Sequence, residues 1–278
     1  MIRRHGAVIG QIGRRSRSRD SHNTQLRYDY HGPCYFVGVL KPSAVFFQIC
    51  TIPRELSHKV ECLTGFNNTG NVRIWPSEEC LAAICLATEL KKELSGKRVI
   101  ELGGGMTSLA GFVLAKCLDV RSMTVSDGND DSVGNLQLIL EANRDLKNKM
   151  SVRKLRWNDS LPMSDVSSFD VVVAADCLFF DEFRSDLLDT ISSLLDRNGI
   201  AVIVAPRRNG TFEKFEEIAR ERFEVVSSGH EFKGVREHME NMRSTMKARR
   251  DYDEDRHLPR LVVLKKNLRE PNLARSNL

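Results

Sequence analysis

KRVIELGGGMTSLAGFVLAKCLDVRSMTVSDGN, residues 97–129, is the stretch from which the fold is read. An apolar run, 99–102, meets three successive glycines, Gly103, Gly104 and Gly105, and a small-residue helical pattern follows at once. That order is strand, tight loop, helix. Glycines at such a junction let backbone N–H groups approach a ligand, at the positive end of a helix expected to start near Met106 or Thr107. A second apolar run, 122–125, leads to Asp127. A carboxylate at the tip of a parallel strand can accept both hydroxyls of a ribose. The stretch reads as half of a nucleotide-binding α/β sheet.

Glycine turns of this kind also serve many α/β proteins as connections only. Two departures favour a ligand and indicate which. Glu101 stands two residues before Gly103, where a dinucleotide site carries an apolar residue; a carboxylate there can receive an ammonium group. The third position of the dinucleotide fingerprint is Ser108, not glycine. Both favour an amino-acid-bearing nucleoside, S-adenosylmethionine, over a dinucleotide.

Working outward, 130–144 gives a helix with Val133, Leu136, Ile139 and Leu140 inward, and 151–156 a third strand ending on Trp157. An aromatic residue at that strand tip can cover a purine face. Residues 169–175 are nearly continuously apolar, as a strand buried on both faces should be, and end on Asp176 and Cys177. Further strands are expected at 199–205, 223–227 and 261–264, with helices at 183–195, 211–222 and partly within 230–255. Upstream, Ser77 is placed to cap a helix carrying Glu78 and Glu79 in its first turn and running to Gly96. Trp75, just outside it, is either a core plug or the wall of a pocket. The chain is therefore α/β, a doubly wound seven-stranded Rossmann-like sheet. Its candidate ligand contacts follow Leu102, Asp127, Trp157 and Asp176, all at carboxyl ends of strands, where open α/β sheets bind ligands.

The 278 residues suffice for a large buried core, and no apolar run approaches the roughly 20 residues of a membrane span. Residues 1–27 hold seven arginines against the single acid Asp20 and read as a disordered basic arm, or as a transit peptide lacking a clear amphipathic helix. Residues 28–71 form a small β-rich region, with runs at 35–40 and 44–52 and a loop at 63–71; the sheet domain covers 72–266, and 267–278 is a polar tail. Seven cysteines without a CxxC pair indicate reduced thiols, a cytoplasmic or nuclear setting and no cysteine-built zinc site, and the histidines show no ligand spacing. A net charge of +5 suits an acidic partner.

Five stretches, LTGFNNTGNVRIWPSEE (63–79), VIELGGGMTSLAG (99–111), SDGN (126–129), AADCLFFDEFR (174–184) and APRRNGT (205–211), carry a resemblance over about residues 28–266. The chain resembles the seven-β-strand class I methyltransferases, within their protein lysine methyltransferase group. The resemblance implies S-adenosylmethionine as cofactor, its methionine part held by Glu101 and Gly103 to Gly105. It implies Asp127 at the ribose, Trp157 and Ala175 at the adenine, and Trp75 at the sulfonium end. It also implies that Asp176 opens an Asp-x-x-aromatic motif beside the methyl group. Here the aromatic is Phe179, where relatives usually carry tyrosine. The implied substrate is a lysine of calmodulin, an acidic protein, with Arg207, Arg208 and the cluster at 243–250 as docking charges.

A phenolic oxygen is absent from Phe179, so a partly methylated amine is free to turn for another transfer, which favours trimethylation. The chain is expected to act as a monomer, without nucleic acid or membrane. Other readings are a methyltransferase for another acidic protein, a non-catalytic binding protein on the same scaffold, and a nicotinamide-linked oxidoreductase.

Overall fold

The computed structural model describes residues 25–31, 34–40, 45–50, 74–157, 159–229, 235–247 and 252–266. The loop at 63–71, the tail from 267, the arm before 25 and the arginines at 248–250 lie outside the described residues. Ahead of the main sheet, β1 (Gln25–His31), β2 (Cys34–Leu40) and β3 (Val45–Cys50) pair antiparallel. The expected β-rich region is thus a three-stranded antiparallel sheet. β1 begins inside the stretch read as basic arm, since pairing with β2 supplies backbone partners that local composition does not reveal.

Helix α1 (Pro76–Ala87) starts earlier than Ser77 would cap it. Trp75 is the N-cap residue, Pro76 takes the first helical position, and the Glu78 carboxylate accepts the Trp75 N–H at 3.1 Å. Instead of running to Gly96, the helix breaks at Thr88, whose hydroxyl donates to the Ile84 carbonyl at 2.6 Å and ends the backbone ladder. A short α2 (Leu90–Leu94) follows.

The main sheet is built from β4 (Arg98–Leu102), β5 (Ser122–Asp127), β6 (Met150–Lys154), β7 (Phe169–Ala175), β8 (Leu195–Pro206), β9 (Phe223–Gly229) and β10 (Pro259–Lys266). Their order is β6-β5-β4-β7-β8-β10-β9. β4 to β8 are mutually parallel, and β10 lies antiparallel between β8 and β9. Helices α3 (Leu109–Cys117) and α4 (Asp130–Ala142) link the strands on one side of β4. Helices α5 (Arg184–Leu194) and α6 (Thr211–Ala219) link those on the other. Helix α7 (Val235–Lys247) and the single turn α8 (Glu254–His257) precede β10.

Alternation along the strands assigns the two layers. Val99, Val171, Val173, Val202 and Val204 pack with the side chains of α1, α3 and α4 and with Met239 of α7. Ile100, Leu102, Val172, Ala174, Ala201 and Ile203 pack with those of α5 and α6. β7 is apolar throughout except Asp170, which takes the Arg98 guanidinium through both oxygens and pins the far end of β4 to β7. Because the crossovers leave β4 and β7 on opposite faces, their carboxyl ends diverge and open a crevice at the switch of strand direction. Of the four inward positions expected on α4, Leu136, Ile139 and Leu140 are buried, whereas Val133 is half exposed and Asn135 takes its place.

Candidate active site

Gly103, following β4, and Ala175, ending β7, stand side by side across the crevice, because Leu102 pairs with Ala174 in register. Gly103 and Gly105 adopt left-handed backbone (φ 64° and 60°), which glycine enters without steric cost. A Cβ on Gly103 would lie 2.7 Å from Cys177 Sγ and 3.1 Å from the Trp157 ring, and one on Gly104 would collide with Ser108. The turn therefore leaves no room for side chains and keeps its backbone bare. Helix α3 begins at Leu109, after a turn, rather than at Met106 or Thr107. Trp157, expected to cover a purine face, is nearly buried beneath Gly103 in the α5 layer, its carbonyl accepting the Thr190 hydroxyl at 2.6 Å, so it is part of the core as well as next to the glycine turn.

Period-two alternation aims Glu101 at α3, on the same face as Val99. There its Oε2 accepts the Gly111 N–H at 2.9 Å, closing the first turn of that helix, while its Oε1 is buried without a hydrogen-bond partner. Burial pushes this carboxyl up to about 7, opposed by the Gly111 N–H. Asp127 accepts the Gly105 N–H through one oxygen and the Asn129 N–H through the other, both at 2.8 Å, so it braces the glycine turn as well as facing the crevice. Burial raises its pKa too.

The sequence reading missed Asn135 altogether and did not place Glu78 or Arg208 in the crevice. Glu78, at the N3 position of α1, accepts the Thr107 hydroxyl at 3.0 Å and joins the helix to the glycine turn. Asn135 donates to the Met106 carbonyl at 2.6 Å from α4. The signal for Glu78 was present in Trp-Pro-Ser-Glu as a capping box; Asn135 and Arg208 announce themselves only through contacts across the fold.

Asp176 follows β7 in left-handed backbone (φ 58°), a region aspartate tolerates better than most side chains, and is only 7% exposed. Its two oxygens meet the Arg208 guanidinium at 2.6 and 3.1 Å, and Ser77 Oγ approaches at 3.5 Å. The guanidinium lies over two rings, 5.1 Å from the Trp75 centroid and 5.5 Å from that of Phe179. Trp75 is thus a wall of the crevice, which decides between the plug and the wall. Phe179 is 37% exposed at the mouth, its ring centroid 4.2 Å from that of Phe180. Of the arginines read as docking charges, Arg208 turns inward to Asp176, which corrects that reading for it, whereas Arg207 and Arg243 stay partly exposed, paired with Glu213 and Glu254.

No cation among the described residues pairs with Glu78, Glu101 or Asp127, so three buried carboxylates face one crevice. Their mutual repulsion and burial have a consequence for stability. The Glu78 carboxyl is pushed up to about 8 from an ordinary 4.5, chiefly by burial. The folded chain then retains a proton that the unfolded chain releases above pH 4.5, and stability falls as pH rises from 4.5 through about 8. Glu78→Gln is expected to be about 1–3 kcal/mol more stable than the wild type at pH 8 and to match it near pH 5, by chemical unfolding. A difference that does not vary with pH would remove Glu78 from this account.

A seven-stranded sheet in this order, with a glycine turn at its switch point and an acid at the tip of the neighbouring strand, defines the Rossmann-like S-adenosylmethionine-dependent methyltransferases. Within that class the chain belongs to the family described as lysine methyltransferase, whose model matches residues 60–221. It is 39% identical over 155 residues to the calmodulin-lysine N-methyltransferase of Arabidopsis thaliana, covering 54% of this chain and 50% of the plant protein, half of that relative's length. It is 28% identical over 150 residues to the protein N-lysine methyltransferase METTL21A of Danio rerio, covering 53% and 67%. Among solved structures, the crystal structure of MccD protein superposes with a TM-score of 0.50 at 16% identity, over 68% of this chain and 97% of that one, a likeness of fold alone. The cofactor of this family's reaction is S-adenosylmethionine.

The residues present fit that cofactor. The crevice holds carboxyl groups, Glu78, Glu101 and Asp127, with no pairing cation among the described residues, which suits a ligand bearing both sulfonium and ammonium, and Glu101 Oε1 is a buried acceptor still without a donor. The glycine turn admits no side chain at Gly103 or Gly104, where a Cβ would meet Cys177 and Ser108.

Proposed function

We propose that this chain transfers methyl groups from S-adenosylmethionine to a lysine side chain of calmodulin, carrying the amine to the trimethylated state. One observation carries the reading: a buried carboxylate, Asp176, holds a cation, the Arg208 guanidinium, over the faces of Trp75 and Phe179, a slot whose chemistry suits a cation or an amine. The identity with the plant calmodulin-lysine enzyme supports the choice of substrate.

In this reading Glu101 takes the ammonium of the methionine part, and the Gly103, Gly104 and Gly105 backbone lines its path. Asp127 takes the ribose hydroxyls through the lone pairs left over from Gly105 and Asn129. Trp157 and Ala175 bound the adenine side, and Trp75 the sulfonium end. When bound, the cofactor supplies a methyl carbon made electrophilic by its sulfonium.

The chain's own residues must then deliver a neutral amine. A free lysine with a pKa near 10.4 is about 0.1% neutral at neutral pH, equivalent to roughly 4 kcal/mol of barrier. Phe179 and Phe180, packed together with their rings tilted at 40° at the mouth of the slot, exclude water and disfavour the ammonium form. Asp176 orients the amine. In this reading Asp176 acts by alignment and by its charge rather than as a strong base. Phe179 brings no hydroxyl to hold a partly methylated nitrogen, which leaves that nitrogen free to turn for the next transfer.

The test incubates the purified protein with calmodulin and S-adenosylmethionine and reads the intact mass of calmodulin. The expected gain comes in methyl steps, ends at the trimethylated product, and is lost in Asp127→Ala, whose unfolding midpoint is checked because Asp127 also braces the glycine turn. A product that stops at one or two methyls would overturn the trimethylation reading. No gain, despite calorimetric binding of the cofactor, would move the substrate to another protein, in keeping with the likeness to METTL21A.

A further inference from the structure

The loop between β8 and α6 places a cation of this chain where the reading above places the substrate's. Arg208 fills the slot completely: both Asp176 oxygens are engaged, and the planar guanidinium faces Trp75 and Phe179 at once. Asp176 cannot serve a second cation without losing the first. The Arg208 backbone is fixed independently of its side chain, with Asp255 of α8 accepting its N–H at 2.9 Å and that of Asn209 at 2.7 Å. Arg208, Asn209 and Gly210 are all left-handed (φ 42°, 59° and 85°), and a Cβ on Gly210 would touch nothing. The side chain can therefore leave while the loop that carries it stays in place.

We propose that Arg208 is the specificity-determining residue of the amine slot, an internal cation that a substrate lysine must displace, and that a lysine does so only when its own chain presents a carboxylate beside it. The inference rests on the amine-slot reading given above. Separating one partner of a largely buried ion pair is costly unless both charges find replacements. The incoming lysine replaces Arg208 at Asp176. Something must replace Asp176 at Arg208, and the carboxylates nearest the loop are already engaged in part, Asp255 by the Asn209 N–H and Glu213 by Arg207 and Arg260. An acidic side chain next to the target lysine completes the exchange. The slot then selects lysines in acidic segments and rejects isolated ones, which remain outside while Arg208 stays in.

Two measurements test it. The first follows the melting temperature of the wild type and of Arg208→Ala with n-butylammonium chloride, with sodium chloride as the ionic-strength control. The vacated slot is expected to take the alkylammonium, raising the variant's melting temperature by about 2–4 °C and saturating, with a wild-type shift below about 1 °C. Equal responses, or none in the variant, overturn the occupancy of the slot. The second measures by calorimetry the binding of two short peptides, identical except that a single lysine is flanked by aspartates in one and asparagines in the other. The wild type is expected to prefer the acidic peptide at least about tenfold, and Arg208→Ala to lose that preference. A wild type that binds the two equally, tightly or weakly, overturns the requirement for an acidic neighbour. If calmodulin gains no mass while the alkylammonium response holds, the substrate reading falls and the gated slot stands.

Discussion

Asp176→Asn is expected to lower kcat for methyl transfer by about 10²–10³-fold while leaving the dissociation constant of S-adenosylmethionine within about threefold of the wild type. Asparagine preserves the volume of the side chain and tolerates the left-handed backbone at φ 58°, so the turn after β7 should survive the change. What disappears is the charge. In the free chain that charge is satisfied by Arg208; during transfer it is the group available to align the substrate nitrogen. The measurement is methyl incorporation into calmodulin by intact mass, paired with calorimetry for the cofactor. An unchanged kcat would expel Asp176 from the slot, and a lost cofactor affinity would reassign it to the cofactor pocket.

The other large effect belongs to Glu101. Glu101→Gln is expected to weaken S-adenosylmethionine binding about 10–100-fold, the size of one lost hydrogen bond to a charged group. Glutamine still offers an oxygen to the Gly111 N–H, so α3 keeps its first-turn partner and the unfolding midpoint should move little. The amide puts a donor where Oε1 now waits as an acceptor. The pH dependence separates this role from simple packing. Burial lifts the Glu101 carboxyl to about 7, so wild-type affinity should climb as pH rises through about 7 and the group ionises; the glutamine variant should lack that limb. An identical pH profile in both proteins would leave Glu101 as a cap for α3 alone. The same substitution also tests the carboxylate cluster, because Glu101 contributes to the raised pKa of Glu78.

Both residues were found by sequence, though for reasons of unequal depth. Glu101 was noticed because an acid before a glycine turn departs from the dinucleotide pattern, and alternation along β4 would already have aimed it toward the helix that follows. Its second duty, closing the first turn of α3 through Gly111, follows from the close approach of that helix, where a Cβ on Gly111 would meet Glu101, Val125 and Met123 within 2.8 Å. Asp176 was found as the residue after a doubly buried strand. That it faces an arginine of the same chain was not legible, because Arg208 lies 32 residues further on and its sequence context, Pro-Arg-Arg-Asn-Gly, is that of any exposed basic turn.

The helix boundaries show the same division. Trp-Pro-Ser-Glu-Glu offers two caps within one short run, and Ser77 is the better one by local preference. The fold gives the position to Trp75, because Glu78 must reach back to the Trp75 N–H while its other oxygen meets Thr107 of the glycine turn, and because Ser77 then faces Asp176. Thr88 ends the helix in extended backbone, its hydroxyl and its N–H both donating to the Ile84 carbonyl, a local bond whose outcome the sequence does not announce.

By itself, then, the sequence determined what depends on neighbours along the chain: the strands by their apolar runs, the glycine turn by its composition, and the acids at the strand tips by their position after those runs. The tertiary structure alone decided what depends on residues far apart in the chain. It placed β10 between β8 and β9, drew β1 into a sheet, gathered Glu78, Glu101 and Asp127 around one crevice, and laid Arg208 across Asp176 between Trp75 and Phe179. The reason is physical. Backbone preference and hydrophobic periodicity act over a few residues and leave a local record, whereas desolvation and charge pairing act between groups that only folding brings together, and leave none.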